Sequence, residues 1–166
     1  MKTRLYSIVN QYISGIHAGI QTAHAVHELF VKYPQGTNSA TNLLWDWAVQ
    51  DKTIIVLEGG YQSNLERIFE LAKAVKSLPS AKFHEEQAAL NGALTAITIV
   101  LPEYMYAPQY DTMSEVVALT NSSLSLGGLK IANQFKDLET GNVLHNYTQP
   151  EKNLIEAIKG CRLKGA

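Results

Sequence analysis

The sequence offers no pair of cysteines for a disulfide and no long apolar run for a membrane span. Its 166 residues include one cysteine, Cys161, so no internal disulfide can form. A reducing compartment is therefore expected, and the cytoplasm is the predicted location. The basic start, Met1 to Arg4, is not followed by a long apolar segment, and no run reaches the roughly 18 apolar residues of a membrane span. We expect neither a signal peptide nor a membrane partner.

An excess of charge of one sign is also missing. Fourteen basic and fifteen acidic residues give a net charge of -1, which argues against a protein coated with basic residues for nucleic-acid binding. Apolar residues make up 46% of the chain, and its length is that of one domain that buries a substantial core. The composition therefore indicates an ordinary globular protein.

Apolar periodicity predicts strands that alternate with helices up to residue 102. Strand patterns occur at Leu5–Asn10, Thr53–Glu58, Ala81–His84 and Leu94–Leu101, and helical patterns at Gly15–Lys32, Ser39–Gln50 and from Ser63 to Val75. This β-α-α-β-α-β-β order predicts an α/β domain over 1–102, with a mixed sheet of about four strands and helices on both faces. The run Thr53–Glu58 is typical of a buried central strand. Residues 103–166 are predicted to be a C-terminal extension that packs on this domain and ends in a helix, Pro150–Leu163.

Three polar side chains share one face of the first predicted helix. His17, Gln21 and His24 lie at positions i, i+4 and i+7. Such a stripe beside a strand end is either a wall that faces a ligand or the solvated face of an amphipathic helix.

Further polar residues lie where the predicted strands end or begin. Asn10 and Glu58 follow two strands, and ligands of open α/β sheets bind outside the carboxyl ends of strands. Thr95 starts the last predicted strand, and the loop before it carries Glu85 and Asn91. Together with the helix stripe, these residues form the predicted ligand-binding site.

Two segments resemble the type 2 peptidyl-tRNA hydrolase family. Gln21-Thr-Ala-His24-Ala25 is similar to the family's Gln-x-x-His-Ala segment, and Leu94-Thr-Ala-Ile97 is similar to a strand start at which the family has a threonine. The element order is also similar, and the likeness covers roughly residues 4–102. The resemblance implies the fold described above and activity on the ester between a peptide and the 3′ end of tRNA.

The resemblance also implies a catalytic lysine and a catalytic aspartate, and both are missing. The turn Ile13–His17 contains no lysine, and the loop Glu85–Ala93 contains no aspartate, with Ala88 or Ala89 at the place expected for the acid. Ester hydrolysis needs a positioned base and stabilisation of the developing charge, and alanine supplies neither. The chain therefore resembles a divergent family member that keeps the ligand-facing wall without the ionisable pair.

The first functional hypothesis is a catalytically degenerate protein that binds and sequesters a small nucleotide, such as a host signalling nucleotide. Under this hypothesis the protein would be a virus-encoded sponge that acts against a host signal. The tyrosines Tyr104, Tyr106 and Tyr110 would stack on a base, or else pack on the sheet edge.

The alternative is an active peptidyl-tRNA hydrolase with the tRNA 3′ end as its partner. Its catalytic candidates are His17, His24, Glu85 and Thr95, and a pair of His17 with Glu85 would replace the missing groups. The tRNA backbone would contact basic residues, for which the candidates are Lys32, Lys73, Lys76 and Lys82. Ordinary solubilising charge is the competing interpretation of these lysines.

We expect no cofactor and no metal. The His24, His27 and Glu28 group offers too few ligands for a structural metal site. The resemblance implies a homodimer or a higher homo-oligomer, and apolar residues of the extension are available to cover a partner subunit: Met105, Met113, Val116, Val117 and Leu119.

Overall fold

A five-stranded mixed sheet organises the chain, of which a computed structural model describes residues 1–111 and 130–165. The sheet contains β1 Thr3–Val9, β2 Ile54–Glu58, β3 Ser80–His84, β4 Leu94–Pro102 and β7 Arg162–Leu163. A separate antiparallel ribbon contains β5 Gln134–Lys136 and β6 Val143–Asn146. The helices of the described residues are α1 Ile16–Lys32, α2 Ser39–Asp46, α3 Gln62–Lys73, α4 Gln87–Leu90, α5 Glu103–Tyr106 and α6 Gln149–Lys159, and a π-helical turn, Trp47–Asp51, follows α2.

The strand order β3-β4-β1-β2-β7 brings several strand ends to one edge of the sheet. Strand β1 is parallel to β2, whereas β4 is antiparallel to both β1 and β3. The carboxyl ends of β1, β2 and β3 therefore lie beside the first residues of β4, along a border that we call the carboxyl edge. The predicted mixed α/β sheet is confirmed. Strand β7 was not predicted, because two residues after a helix give no recognisable strand pattern.

Helices cover both faces of the sheet, as predicted. One face packs against α1 and α2 through a cluster that includes Leu5, Leu29 and Leu44. The opposite face packs against α3, α5 and α6 in the larger cluster, with Ile8 and Leu154 among its fully buried members. All nine residues of β4 are buried, since this strand lies between the two layers. Among the described residues, no helix is long and apolar enough to cross a membrane.

Helix α1 docks on the sheet largely through small and polar side chains. The hydroxyls of Ser7 and Thr22 are 2.7 Å apart and hydrogen-bonded, and Thr98 Oγ1 donates to the carbonyl oxygen of Ala25 over 3.0 Å. Ile16 and Ile20 instead lie on the exposed side of the helix. The polar stripe is therefore not simply the solvated face, because Gln21 is buried against the sheet.

Strand β2 is not the buried central strand that its sequence suggests, and that prediction is wrong. Ile54 is 46% exposed, and Ile55 and Val56 are half-buried. Helix α1 packs mainly on β1, β3 and β4, and β7 pairs only with the last two residues of β2. One face of β2 is consequently left uncovered beside α1.

The chain after residue 102 completes the core on the face opposite α1. Met105 is fully buried within its own chain, so it is not available to cover a partner subunit. Met113, Val116, Val117 and Leu119 lie outside the described residues. The predicted final helix ends at Lys159, and the chain then turns to form β7.

A buried hydroxyl that loses its partner is costly, and the Ser7–Thr22 pair allows this cost to be measured. We expect Thr22→Val to lower the free energy of unfolding by about 1–3 kcal/mol, because the Ser7 hydroxyl becomes unpaired. The double variant Thr22→Val with Ser7→Ala should be more stable than Thr22→Val alone, since both polar groups are then absent. Urea denaturation of the two variants is the measurement. Wild-type stability of Thr22→Val would contradict the assignment.

Candidate functional site

The loops that follow β1 and β2 lie side by side at the carboxyl edge. Strand β1 leads into α1 on one face of the sheet, whereas β2 leads into α3 on the other, and ligands of open α/β sheets bind at such a reversal. Backbone hydrogen bonds hold the two loops together: Gln11 N–H donates to Gly60 and Gly59 N–H donates to Val9, each over 2.9 Å. These hydrogen bonds fix the position of one loop relative to the other.

A cavity of about 580 Å³ opens on the uncovered face of β2, and we call it the crevice cavity. It is lined by Gln11, Ser14, Gly15, Ala18, Gly19, Val56, Glu58, Lys164 and Gly165. Its volume lies within the range of about 300–1,000 Å³ that is usual for small-molecule sites. A Cβ atom at Gly15 or Gly19 would meet no atom within 4 Å, so a ligand has direct access to the backbone of α1.

Opposite charges meet in the wall of the crevice cavity. Glu58 pairs with Arg162 Nη2 at 3.1 Å and with Lys164 Nζ at 3.7 Å. The Lys164 side chain is only 10% exposed, and its ammonium group also donates to the carbonyl oxygen of Gln11. Helix α1 starts nearby with Gly15 at its N-cap, without a side-chain cap and without an acid in its first turn. The cavity thus offers the Glu58 carboxylate as an acceptor beside the Lys164 ammonium group, near the positive end of the α1 dipole.

Two exposed tyrosines lie at the carboxyl edge, in the loops that follow β1 and β2. Tyr12 follows β1 and Tyr61 follows β2, and they are 75% and 57% exposed. Their ring centroids are 5.7 Å apart and the rings are tilted by 58°. The sequence analysis missed both residues, although each one lies within three positions of a predicted strand end. An aromatic residue just past a strand end was the available signal.

The tyrosines that the sequence suggested for base stacking lie elsewhere. Tyr106 is buried in the core, and Tyr104 stacks on His145 with ring centroids 3.8 Å apart. Tyr110 is partly exposed, but it pairs with Ile131 rather than lying at the carboxyl edge. Tyr104 and Tyr106 therefore pack in the larger core on one face of the sheet, rather than on the sheet edge.

Four of the predicted site residues do come together, on the other side of α1. Thr95 Oγ1 donates to Gln21 Oε1 over 2.6 Å, and Gln21 Nε2 donates to Glu85 Oε2 over 2.9 Å. The backbone N–H of Asn10 donates to the Thr95 carbonyl over 2.9 Å, and its side chain donates to Leu94. We call this set the Gln21 network. Because its members satisfy one another, the network acts as a brace between α1, β1 and β4.

The Gln21 network depends on an irregularity in the sheet. Between the pairs Phe83–Ala96 and His84–Leu94 the register shifts, which leaves Thr95 as an extra residue in β4. A bulge of this kind redirects a side chain to the other face. Thr95 consequently reaches Gln21 of α1, whereas Leu94 packs in the opposite core.

The other predicted residues are not part of one site. His17 is exposed, and His24 stacks on the ring of Phe83 at 4.5 Å. Asn91 ends α4 in the left-handed conformation and is exposed, while Glu58 belongs to the crevice cavity. No hydrogen bond or ion pair joins His17 to Glu85 in the described residues, so the substitute catalytic pair does not form here.

The single cysteine lies in surroundings that do not favour a reactive thiolate. Burial raises the pKa of the Cys161 thiol, which disfavours the reactive thiolate, and the thiol contacts the carbonyl oxygen of Ala157. Within residues 1–111 and 130–165, no group of three or more histidine, cysteine, aspartate or glutamate side chains could hold a metal ion. Comparison with the models of known protein families and with curated proteins gives no match.

A carboxylate in place of Gln21 tests the Gln21 network. We expect Gln21→Glu to lower the free energy of unfolding by about 2–4 kcal/mol at pH 7, because a second negative charge would lie about 3 Å from Glu85. The loss relative to wild type should shrink as the pH falls to about 4, where one carboxyl group is protonated. Urea denaturation at both pH values is the measurement.

Gln21→Met serves as the matched control for this change, since it removes the same hydrogen bonds without adding a charge. Its stability loss relative to wild type should be similar at the two pH values. Equal pH dependence of the two variants would show that Glu85 does not lie beside position 21.

Proposed function

We propose that the protein binds a small nucleotide in the crevice cavity and releases it chemically unchanged, so that it sequesters the ligand. One observation carries the proposal: an open cavity of about 580 Å³ lies at the reversal point of the sheet, beside Glu58 and Lys164. Its mixed lining suits a ligand that combines an aromatic base, hydroxyl groups and an anion.

Each part of a nucleotide has a matching group in or near the crevice cavity. Stacking on an exposed aromatic ring contributes about 1–3 kcal/mol per base, and Tyr12 and Tyr61 offer such rings at the carboxyl edge. The Glu58 carboxylate accepts hydrogen bonds from sugar hydroxyls, as acidic residues at strand ends do in dinucleotide-binding folds. The uncapped start of α1 and the Lys164 ammonium favour a phosphate.

Binding without turnover agrees best with the residues available at the carboxyl edge. The proposal includes a divergent relationship to the type 2 peptidyl-tRNA hydrolases, supported by the observed order of β1 to β4 and of the helices between them. The lysine and aspartate associated with that activity are missing, and Glu85 is engaged by Gln21 and by the backbone N–H of Glu86. Peptidyl-tRNA hydrolysis therefore stays the alternative.

Filling the crevice cavity tests the proposed site. We expect AMP, ATP or cyclic AMP to bind the wild type, and Gly19→Leu to weaken binding at least about tenfold by occupying the cavity. Leucine also favours the helix more than glycine does, so this variant should stay folded. Isothermal titration calorimetry measures the affinity, and chromatography of the recovered nucleotide shows whether it is intact.

Ala23→Leu is the matched control, because Ala23 lies one turn further along α1 and is exposed to solvent. It should bind like the wild type. An equal loss in both variants, or a chemically altered nucleotide, would contradict the proposal.

A second assay separates binding from esterase activity. The proposal predicts no hydrolysis of an N-blocked aminoacyl-tRNA by the purified wild type. Turnover that disappears in His17→Ala would instead establish the esterase, with His17 in place of the missing lysine.

A further inference from the structure

Three lysines from three different elements converge on one phenylalanine ring. The ammonium nitrogens of Lys32, Lys73 and Lys82 lie 5.3, 5.7 and 5.3 Å from the ring centroid of Phe69. Lys32 ends α1, Lys73 ends α3, and Lys82 lies in the middle of β3. We call these three residues the lysine cluster.

The fold holds the members of the lysine cluster together at an electrostatic cost. Because each ammonium nitrogen lies within 5.7 Å of the same ring centroid, no two of them are more than about 11 Å apart. The Debye length in physiological salt is about 8 Å, so these like charges are only partly screened from one another. Among the described residues only Glu70 forms an ion pair with the cluster, at 3.1 Å from Lys73. Lys32 donates to the carbonyl oxygen of Ser80 over 2.8 Å, which fixes its position. An anion would relieve the repulsion.

Protection of an exposed sheet edge does not explain the lysine cluster. Strand β3 is an edge strand, and a single lysine such as Lys82 suffices to discourage pairing with another chain. Lys32 and Lys73 come from helices on opposite faces of the sheet, yet both reach the same ring. Edge protection gives no reason for that convergence.

We infer that the lysine cluster is a binding site for phosphate groups, separate from the crevice cavity. Ammonium groups bind phosphate as point charges without demanding a particular geometry. Phe69 is only 6% exposed, so it holds the lysine side chains in place but offers no surface for a base to stack on. Recognition therefore depends on charge, and the ligand is a polyphosphate or the phosphodiester chain of a nucleic acid. The site lies at the β3 edge, whereas the crevice cavity lies at β2.

The test uses two probes of the same phosphate chemistry. Inorganic tripolyphosphate is measured by calorimetry, and a fluorescein-labelled uridine octamer RNA by anisotropy at several salt concentrations. Lys73→Gln combined with Lys82→Gln should weaken binding of the recognised probe at least about tenfold and lower the RNA salt slope by roughly 1.4, or 0.7 per lost contact. Lys32 is kept, because it also supports Ser80.

A control with the same change in net charge separates a site from general attraction. Lys2→Gln combined with Lys136→Gln alters two exposed lysines outside the cluster, and its affinity should stay within about twofold of wild type. Binding of RNA alone identifies phosphodiesters as the ligand, and binding of tripolyphosphate alone identifies free phosphates. No binding of either probe, or equal losses in the two double variants, would overturn the inference. Gly19→Leu should bind both probes normally, so a failure of the nucleotide proposal is distinguishable.

Discussion

The position of α1 on the sheet depends on buried hydrogen bonds rather than on apolar packing alone. Three hydrogen bonds at different positions along the helix join it to β1 and β4: Ser7 with Thr22, Thr95 with Gln21, and Thr98 with the Ala25 carbonyl. Hydrogen bonds are directional, and an unpaired buried donor or acceptor costs about 1–3 kcal/mol. A helix held in this way cannot shift by one residue without losing several partners together.

The same docking explains where the crevice cavity lies. With α1 held over β1, β3 and β4, one face of β2 receives no helix at its carboxyl end. Gly15 and Gly19 keep the adjacent side of α1 free of side chains, and Lys164 approaches from the other border of β2. The Gln21 network therefore braces the helix, while the space for a ligand opens on the opposite side of that helix.

The sequence predicted well those elements that rest on local apolar patterns. The four long strands and the helices between them follow from runs such as Thr53–Glu58, because burial on a sheet requires apolar residues at regular spacing. The degree of burial of β2 was not predictable, since it depends on where α1 packs. Likewise, the ion pair of Glu58 with Arg162 joins residues 104 positions apart, and no local pattern reports such a contact. Glu85 and Thr95 were found because polar loops meet at strand ends, and Gln21 was found because the polar stripe of the first helix has helical spacing. Tyr12 and Tyr61 were missed because their exposure is a property of the folded edge.

The pairing of β1 with β4 has a consequence for how the chain reaches this structure. Its register places Thr3 opposite Pro102, so the centre of the sheet joins the first strand to one that follows nearly a hundred residues later. Closing that loop lowers the entropy of the chain before the pairing contributes any stabilisation. Folding should therefore be slow for a chain of this length, and β1 keeps an unpaired border until β4 arrives.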